Sequence, residues 1–237
     1  MALAGNAVVA IWNDITEEGR ANFYEWHNRE HMPERLGIPG FLRGRRYRSL
    51  DGAQGRLAAA DCMYFTLYEV QDASVLSGAA YLERLNAPTP WTTRSVAHFR
   101  NVARSLCTTD ITQGAASGGF LATLRFDVAA SHDPALLDRF RVLFTTVAEA
   151  LGIVAAHLCR ADLAASSTKT AEQAGRPENA LPRWVVMVEA STPAAAASAR
   201  ASIASSIDAA CLAGTPLLGV MQGVYALQFD LLAATSR

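Results

Sequence analysis

The same succession of apolar runs and breakers occurs twice along the 237 residues, and that repetition constrains the fold more than any single motif does. In the first half, Ala7 to Asn13 is an apolar run of strand length. Asp14-Ile15-Thr16-Glu17 follows with the spacing of a capping box that opens a helix, Asp14 being the cap. That helix is expected to reach about Met32 and to close at Pro33, with Gly37 and Pro39 beyond it. Proline lacks an amide donor and biases the residue before it away from helix. Two strands, Phe41 to Arg48 and Cys62 to Val70, are separated by the glycine-bearing Asp51-Gly52-Ala53-Gln54-Gly55. A short helix around Ser74 to Leu85, the breaker Pro88-Thr89-Pro90 and a strand from about Val96 to Cys107 complete the order βαββαβ.

The second half restates this order after the linker Gly114 to Gly119. Strand Phe120 to Phe126 precedes a helix from about Pro134, on which Leu136, Phe140, Leu143, Phe144, Val147 and Leu151 form one apolar stripe. Strand Ile153 to Cys159, a polar stretch Ala164 to Asn179 expected to be a mobile loop, strand Arg183 to Glu189, an alanine-rich helix Ala194 to Ala210 and strand Leu217 to Phe229 follow. A βαββαβ unit is the split βαβ of ferredoxin-like folds, an antiparallel sheet with both helices on one face. The other face also needs a cover, and two units in one chain can cover each other. The expected class is α+β: two ferredoxin-like units, 1–113 and a mainly structural 119–237 joined by the linker 114–118, whose sheets close into an intrachain α/β barrel. Runs such as Met63 to Tyr68 and Trp184 to Val188 suit strands covered on both sides.

Composition narrows the partners. The formal charge is −1, and 20 of the 21 basic residues are arginine, so no net positive field would drive nucleic-acid binding. No stretch of 18 apolar residues predicts a membrane span, and the amino-terminal residues lack the pattern of a secretory signal. A cytoplasmic protein is expected, with Cys62, Cys107, Cys159 and Cys211 as reduced, mostly buried thiols. A monomer and a homodimer both fit, and unpaired strand edges would favour the dimer.

The run Glu25-Trp26-His27-Asn28-Arg29-Glu30-His31-Met32-Pro33, continuing through Gly37-Ile38-Pro39-Gly40-Phe41 to Arg45-Arg46-Tyr47, resembles the dimeric α/β-barrel superfamily and particularly its EthD-like domains. Those domains carry a tryptophan-bearing helix ending in histidine, then a Pro-Gly turn into a strand with Arg-Tyr. The second half lacks the histidine motif. The resemblance implies a ferredoxin-like barrel whose relatives include cofactor-free monooxygenases, muconolactone isomerases and haem enzymes, beside members without known activity. Fold likeness therefore does not select the reaction.

The residues themselves offer a site. His27 and His31 are four apart, so they share a helix face with Phe23 and Trp26 beside them. The sister helix offers only Leu, Phe and Val on its stripe, so imidazoles here suggest a ligand cavity rather than plain packing. The competing reading is structural histidines that satisfy carbonyls at a helix end. On the strand Cys62 to Val70, Met63, Phe65 and Leu67 alternate with Tyr64, Thr66 and Tyr68. The apolar set is expected to face the helices and the tyrosines the barrel interior, as a polar cavity lining. Arg46 and Arg48 should face opposite to Phe41, Arg43, Arg45 and Tyr47, and a cavity-facing arginine would bind a carboxylate or enolate.

His27-Asn28-Arg29-Glu30-His31 also matches the zinc signature H-x-x-E-H, with Glu69 and Glu83 as candidate third ligands. The early helix stop argues against it. Haem is a further alternative, with His98 or His157 as axial ligand by analogy with barrel relatives. There is no phosphate-binding loop, dinucleotide fingerprint or serine-nucleophile elbow. The leading expectation is a small-molecule enzyme of isomerase, lyase or cofactor-free oxygenase type, without a dedicated cofactor, acting on an apolar or aromatic substrate. His31 would be general acid or base, His27 a second catalytic candidate, and Trp26, Arg46, Tyr64, Tyr68 and Trp91 the substrate contacts. The alternative is a non-catalytic ligand-binding or structural barrel.

Overall fold

The computed structural model describes residues 2–51, 61–174, 180–209 and 217–234. The expected turn 52–55, the end of the 164–179 stretch, Ala210 and Cys211 lie outside them. In the first half β1 (Ala7–Ile15) leads into α1 (Arg20–Trp26), a π-helical turn (His27–His31) and α2 (Met32–Leu36). β2 (Phe41–Ser49), β3 (Tyr64–Val70), a 3-10 turn (Ala73–Ser77), α3 (Ala79–Asn86), α4 (Pro90–Val96) and β4 (Phe99–Gly114) follow. The second half is β5 (Phe120–Asp127), α5 (Asp133–Ala148), β6 (Ile153–Ala161), α6 (Leu163–Ser166), β7 (Trp184–Ala190), α7 (Pro193–Ala209) and β8 (Leu218–Leu232).

Each half lays its strands in the ferredoxin-like order, β4-β1-β3-β2 and β6-β7-β5-β8, and the two antiparallel sheets join through β2–β8 and β4–β6 into one closed barrel. Closure pairs the strand edges on which a preference for a homodimer rested. The inner faces supply one core, including Trp12, Tyr47, Phe65, Leu67, Val185, Met187 and Tyr225. The outer faces supply others beneath the helices, such as Phe126, Phe140, Phe144 and Ile203 in the second half. Every residue of β3 and β7 is buried, as strands covered on both sides must be. Among the described residues no helix is long and apolar enough to cross a membrane.

Charge is also buried inside the barrel. Arg45 pairs Glu189 through two bonds of 2.9 and 3.0 Å and Glu69 at 2.8 Å, and His157 Nε2 lies 3.5 Å from Glu189. Glu189 accepts from Gly118 N–H at 2.8 Å and Glu69 from Ala4 N–H at 2.6 Å. Burial alone would raise Glu189, but His157 and Arg45 hold it down at about 2.

Several expectations need correction. β1 runs on through Ile15, and Asp14 is no helix cap: its carboxylate accepts from Met63 N–H at 2.7 Å and Asn101 Nδ2 at 2.8 Å, so α1 starts only at Arg20. Pro33 does not close the helix. A π-turn widens it first, with Met32 N–H bonded to His27 O five residues back, and Pro33 falls in the first turn of α2, where a missing N–H is harmless. Pro90 starts a helix, because Thr89 caps α4 by accepting from Thr92 N–H at 2.9 Å. Leu151 stands 97 % exposed beyond the end of α5, outside the apolar stripe. The described part of the supposed mobile loop carries α6 and buries Ser166, Thr170 and Glu172. Cys62, Cys107 and Cys159 are free buried thiols, and burial pushes Cys159 up to about 12.

The facing of the strands is inverted as well. Phe65 and Leu67 point into the barrel, whereas Tyr64 and Tyr68 point outward under the helices. Both faces are covered, so the more apolar side could not be told from the helix side. A bulge between Phe41 and Arg43 shifts the alternation of β2, placing Phe41 under the helices although Arg45 and Tyr47 face inward.

Candidate functional site

The helix α1–π–α2 lies on the outer face of the first sheet because its inward positions are apolar or aromatic: Phe23, Trp26, Met32 and Leu36 are buried. His27, His31 and Arg35 recur at four-residue spacing on that face and are buried too. The two imidazoles stack with centroids 5.5 Å apart, and the Trp26 ring lies 4.3 Å from His31. Trp26 is fixed from α4, its Nε1 donating to Thr92 Oγ1 at 3.1 Å. Arg46 of β2 donates through Nη1 to Asn28 Oδ1 at 2.7 Å and lies 3.1 Å from His27 Nδ1. A guanidinium can only donate, so His27 Nδ1 accepts and its ring proton belongs on Nε2. Burial first, then the neighbouring His31, Arg46 and Arg35, holds His27 well below the usual histidine range.

Beneath the helix lies a cavity of about 30 Å³, bounded by His31, Arg35, Tyr68, Tyr81, Arg104 and Glu172, with Trp26 and His27 at its side. That is room for a water or so. The His31 and Tyr68 rings meet edge to face, 6.4 Å between centroids. The Tyr68 hydroxyl is buried without a hydrogen-bond partner among the described residues, and burial raises its pKa. Arg35 forms a short ion pair with Glu172 and lies 3.5 Å from Glu34, which also pairs with Arg84. Burial works against the Arg35 charge, yet Glu172 holds its pKa above the ordinary value. Arg104 of β4 donates to Tyr81 Oη at 2.7 Å and to the Gln173 amide oxygen at 3.1 Å in the amide orientation that satisfies both its ends.

Glu172 and Gln173 belong to the second half. Their segment is laid across the first unit by Glu172 N–H to Leu85 O at 3.0 Å and Ala171 N–H to Asn86 Oδ1 at 3.1 Å. The cavity is thus built by both halves of the chain.

Neither a protein-family model nor a curated protein sequence matches the chain. Solved structures do. An anthrone oxidase-like protein superposes with a TM-score of 0.63 at 10 % identity, over 96 % of this chain and 93 % of its own. A provisionally named monooxygenase from Fusobacterium nucleatum subsp. nucleatum gives 0.56 at 8 % identity, over 98 % and 94 %. Another, from Lactobacillus acidophilus, gives 0.54 at 10 % identity, over 97 % of each chain. The fold is the ferredoxin-like α+β barrel. Likeness at these identities extends to the fold alone.

Within this α+β barrel, Trp26, His27, His31 and Tyr68 come together at the cavity, as their residue types suggest, but outside the barrel rather than in its interior. Arg46 stands one layer behind His27, its guanidinium 4.8 Å from the Tyr24 ring centroid. Tyr64 bonds Tyr24 hydroxyl to hydroxyl at 3.0 Å and Trp91 donates to Asn22 Oδ1 at 2.8 Å; neither borders the cavity. The zinc signature is taken apart by the fold. Glu30 accepts from Thr89 at 2.5 Å, Glu69 lies inside the barrel on Arg45, and Glu83 is exposed. Among the described residues no three metal-ligating side chains cluster. Neither histidine considered for haem is placed as an axial ligand: His157 is packed against Thr112 and Glu189 inside the barrel, and His98 bonds Thr16 at the surface.

Arg35, Arg104 and Glu172 were missed. Arg35 continues the His27–His31 spacing and becomes visible once the helix is allowed past Pro33. Arg104 is the polar residue between Val102 and Leu106 on the helix-facing side of β4. Glu172, 137 residues from Arg35, has no local signal.

Proposed function

We propose that this chain is an EthD-like small-molecule enzyme of isomerase, lyase or cofactor-free oxygenase type. In this reading His31 is the general acid or base toward an apolar or aromatic substrate. The observation that carries it is the contrast between corresponding helices. The helix α1–π–α2 presents Trp26, His27, His31 and Arg35 to a cavity, whereas α5 presents Leu136, Phe140, Phe144 and Val147 to a filled core. Pure packing is served by the second choice, and a buried imidazole pair costs desolvation that packing does not return.

Each reaction type begins with loss of a proton from carbon or oxygen. His31 takes that proton; the Tyr68 hydroxyl and the arginines of the opposite wall stabilise the enolate or phenolate left behind. Trp26 fixes the plane of the imidazole. His27, held neutral, adds no charge beside it. A substrate of aromatic size needs more room than the cavity has, so the segment carrying Glu172 withdraws on binding.

The second unit supplies the barrel's other sheet, which fits tandem duplication of units 1–113 and 119–237. Glu69 and Glu189 occupy the same register position, as do Arg45 and His157 opposite Leu67 and Met187. The bulge Phe41/Arg43 recurs at Ile153/Ala155, and each follows a positive-φ glycine, Gly40 or Gly152.

The test is proton transfer itself. Wild-type protein in D2O is offered a panel of enolisable ketones, lactones and phenols, and deuterium incorporation is followed by NMR. The expected result is exchange on at least one compound class, falling by about 10²-fold or more in His31→Asn. Exchange unchanged in that variant overturns the role of His31, and none with any compound favours the non-catalytic barrel.

A further inference from the structure

We propose that the corner formed by Arg35, Arg104 and Tyr68 is a carboxylate-binding site, made for the anion of a small aromatic acid, and that Glu172 of the second unit holds its Arg35 side in the ligand's place. The proposal rests on the cavity being the substrate site and names the substrate class. Charge counting comes first. Among the described residues, the cations at or just behind this wall are Arg35, Arg84 and Arg104, and the carboxylates are Glu34 and Glu172. One positive charge is left over, and it falls on Arg104, which is 5 % exposed and has no carboxylate partner among the described residues. A buried guanidinium answered only by a phenol and an amide is far from the charge-assisted pairing such a group ordinarily finds.

The second observation is independent of charge. Tyr68, 2 % exposed, holds a hydroxyl with no partner on the cavity wall, and a buried donor left unpaired is costly. Arg104 and Tyr68 line the same cavity, so a carboxylate bound there is the one group that would answer both the cation and the phenol. The third is the origin of Glu172. Arg35, Tyr68, Tyr81 and Arg104 stand on helices or strands of the first unit, whereas Glu172 is delivered, with Gln173, by the described residues 167–174 that follow α6. A carboxylate that inserts from outside onto Arg35 shows that the corner accepts this chemistry. The aromatic walls Trp26, Phe41 and Phe99 set the rest of the ligand as a ring.

The experiment is calorimetric titration of the full chain with benzoate and, as neutral control, benzyl alcohol. Glu172→Gln keeps the side-chain shape and removes the competing charge. Benzoate is expected to bind this variant at least tenfold more tightly than wild type, with benzyl alcohol unchanged within about twofold. In the same background Arg104→Gln and Tyr68→Phe each weaken benzoate about tenfold or more; Tyr68→Phe keeps the ring, so it decides the matter if Arg104→Gln does not fold. An equal gain for both compounds, or benzoate affinity indifferent to Glu172 or to Tyr68, overturns the site. Binding is read apart from turnover. Benzoate bound as described by a protein that exchanges no deuterium sinks only the catalytic reading; exchange on neutral compounds that benzoate does not inhibit sinks only this one.

Discussion

His27 and His31 are one turn apart, and what touches each gives it a different duty. His27 accepts from Arg46 and is kept neutral by burial, so in the proposed reading it props the site and His31 carries the proton. The pH consequence has a definite sign. The unfolded chain binds a proton at this position near pH 6.5 and the folded chain only well below, so stability falls as pH drops under 6.5, by at most about 1.4 kcal/mol per unit. Thermal melts between pH 7.5 and 5 are expected to show a shallower loss for His27→Gln than for wild type; equal slopes contradict the neutral assignment. Tyr68 gives the converse case. Tyr68→Phe removes an unpaired hydroxyl and keeps the ring, so the melting temperature is expected to hold or rise, by up to about 1 kcal/mol in stability. The histidines and Trp26 were legible because an imidazole pair stands out against the leucines and phenylalanines of the sister helix. The orientation of Tyr64 and Tyr68 was not, since alternation separates two faces without saying which one meets the helices.

At the scale of elements, the order βαββαβ could be read because breakers fall between apolar runs of strand or helix length. What stayed hidden were irregularities inside the elements: the π-turn ahead of Pro33, the extension of β1 through Asp14, and bulges such as those at Phe41/Arg43 and Ile153/Ala155. These two bulges each follow a glycine whose backbone most side chains disfavour, Gly40 at φ 91° and Gly152 at φ 82°. An added Cβ would also meet Val75 Cγ2 at 2.5 Å in the first case and Ala195 Cβ at 2.9 Å in the second. Gly40→Ala and Gly152→Ala are therefore each expected to lower stability by at least about 1 kcal/mol in urea unfolding. A neutral result at either would mean that the preceding turn is free to relax and does not set the register of the strand after it. Glu172 marks the limit of reading by element: its partner Arg35 lies in the other half of the chain, and only the closed barrel brings them together.

The whole molecule is one barrel, and its ion cluster ties the halves at the centre. Arg45 from the first unit holds a carboxylate from each, Glu69 and Glu189, so no substitution there is local to one half. Arg45→Met leaves two acidic groups buried with one imidazole and is expected to cost about 3–5 kcal/mol at neutral pH, as breaking a buried pair does. Acid acts on the same cluster. Glu189 is held at about 2 against 4.5 in the open chain, so its stabilisation is complete above pH 4.5 and drains away as pH falls from there toward 2. The acid-unfolding midpoint is expected to move to higher pH in Arg45→Met, because less stability remains to be lost. Calorimetry of that variant carries the stronger test. Because the inner core and the cluster are shared, both units should still melt in one transition at a lower temperature. Two resolved transitions, with one half keeping its wild-type melting temperature, would show that the halves hold their own cores and that the shared interior is not what keeps the barrel closed.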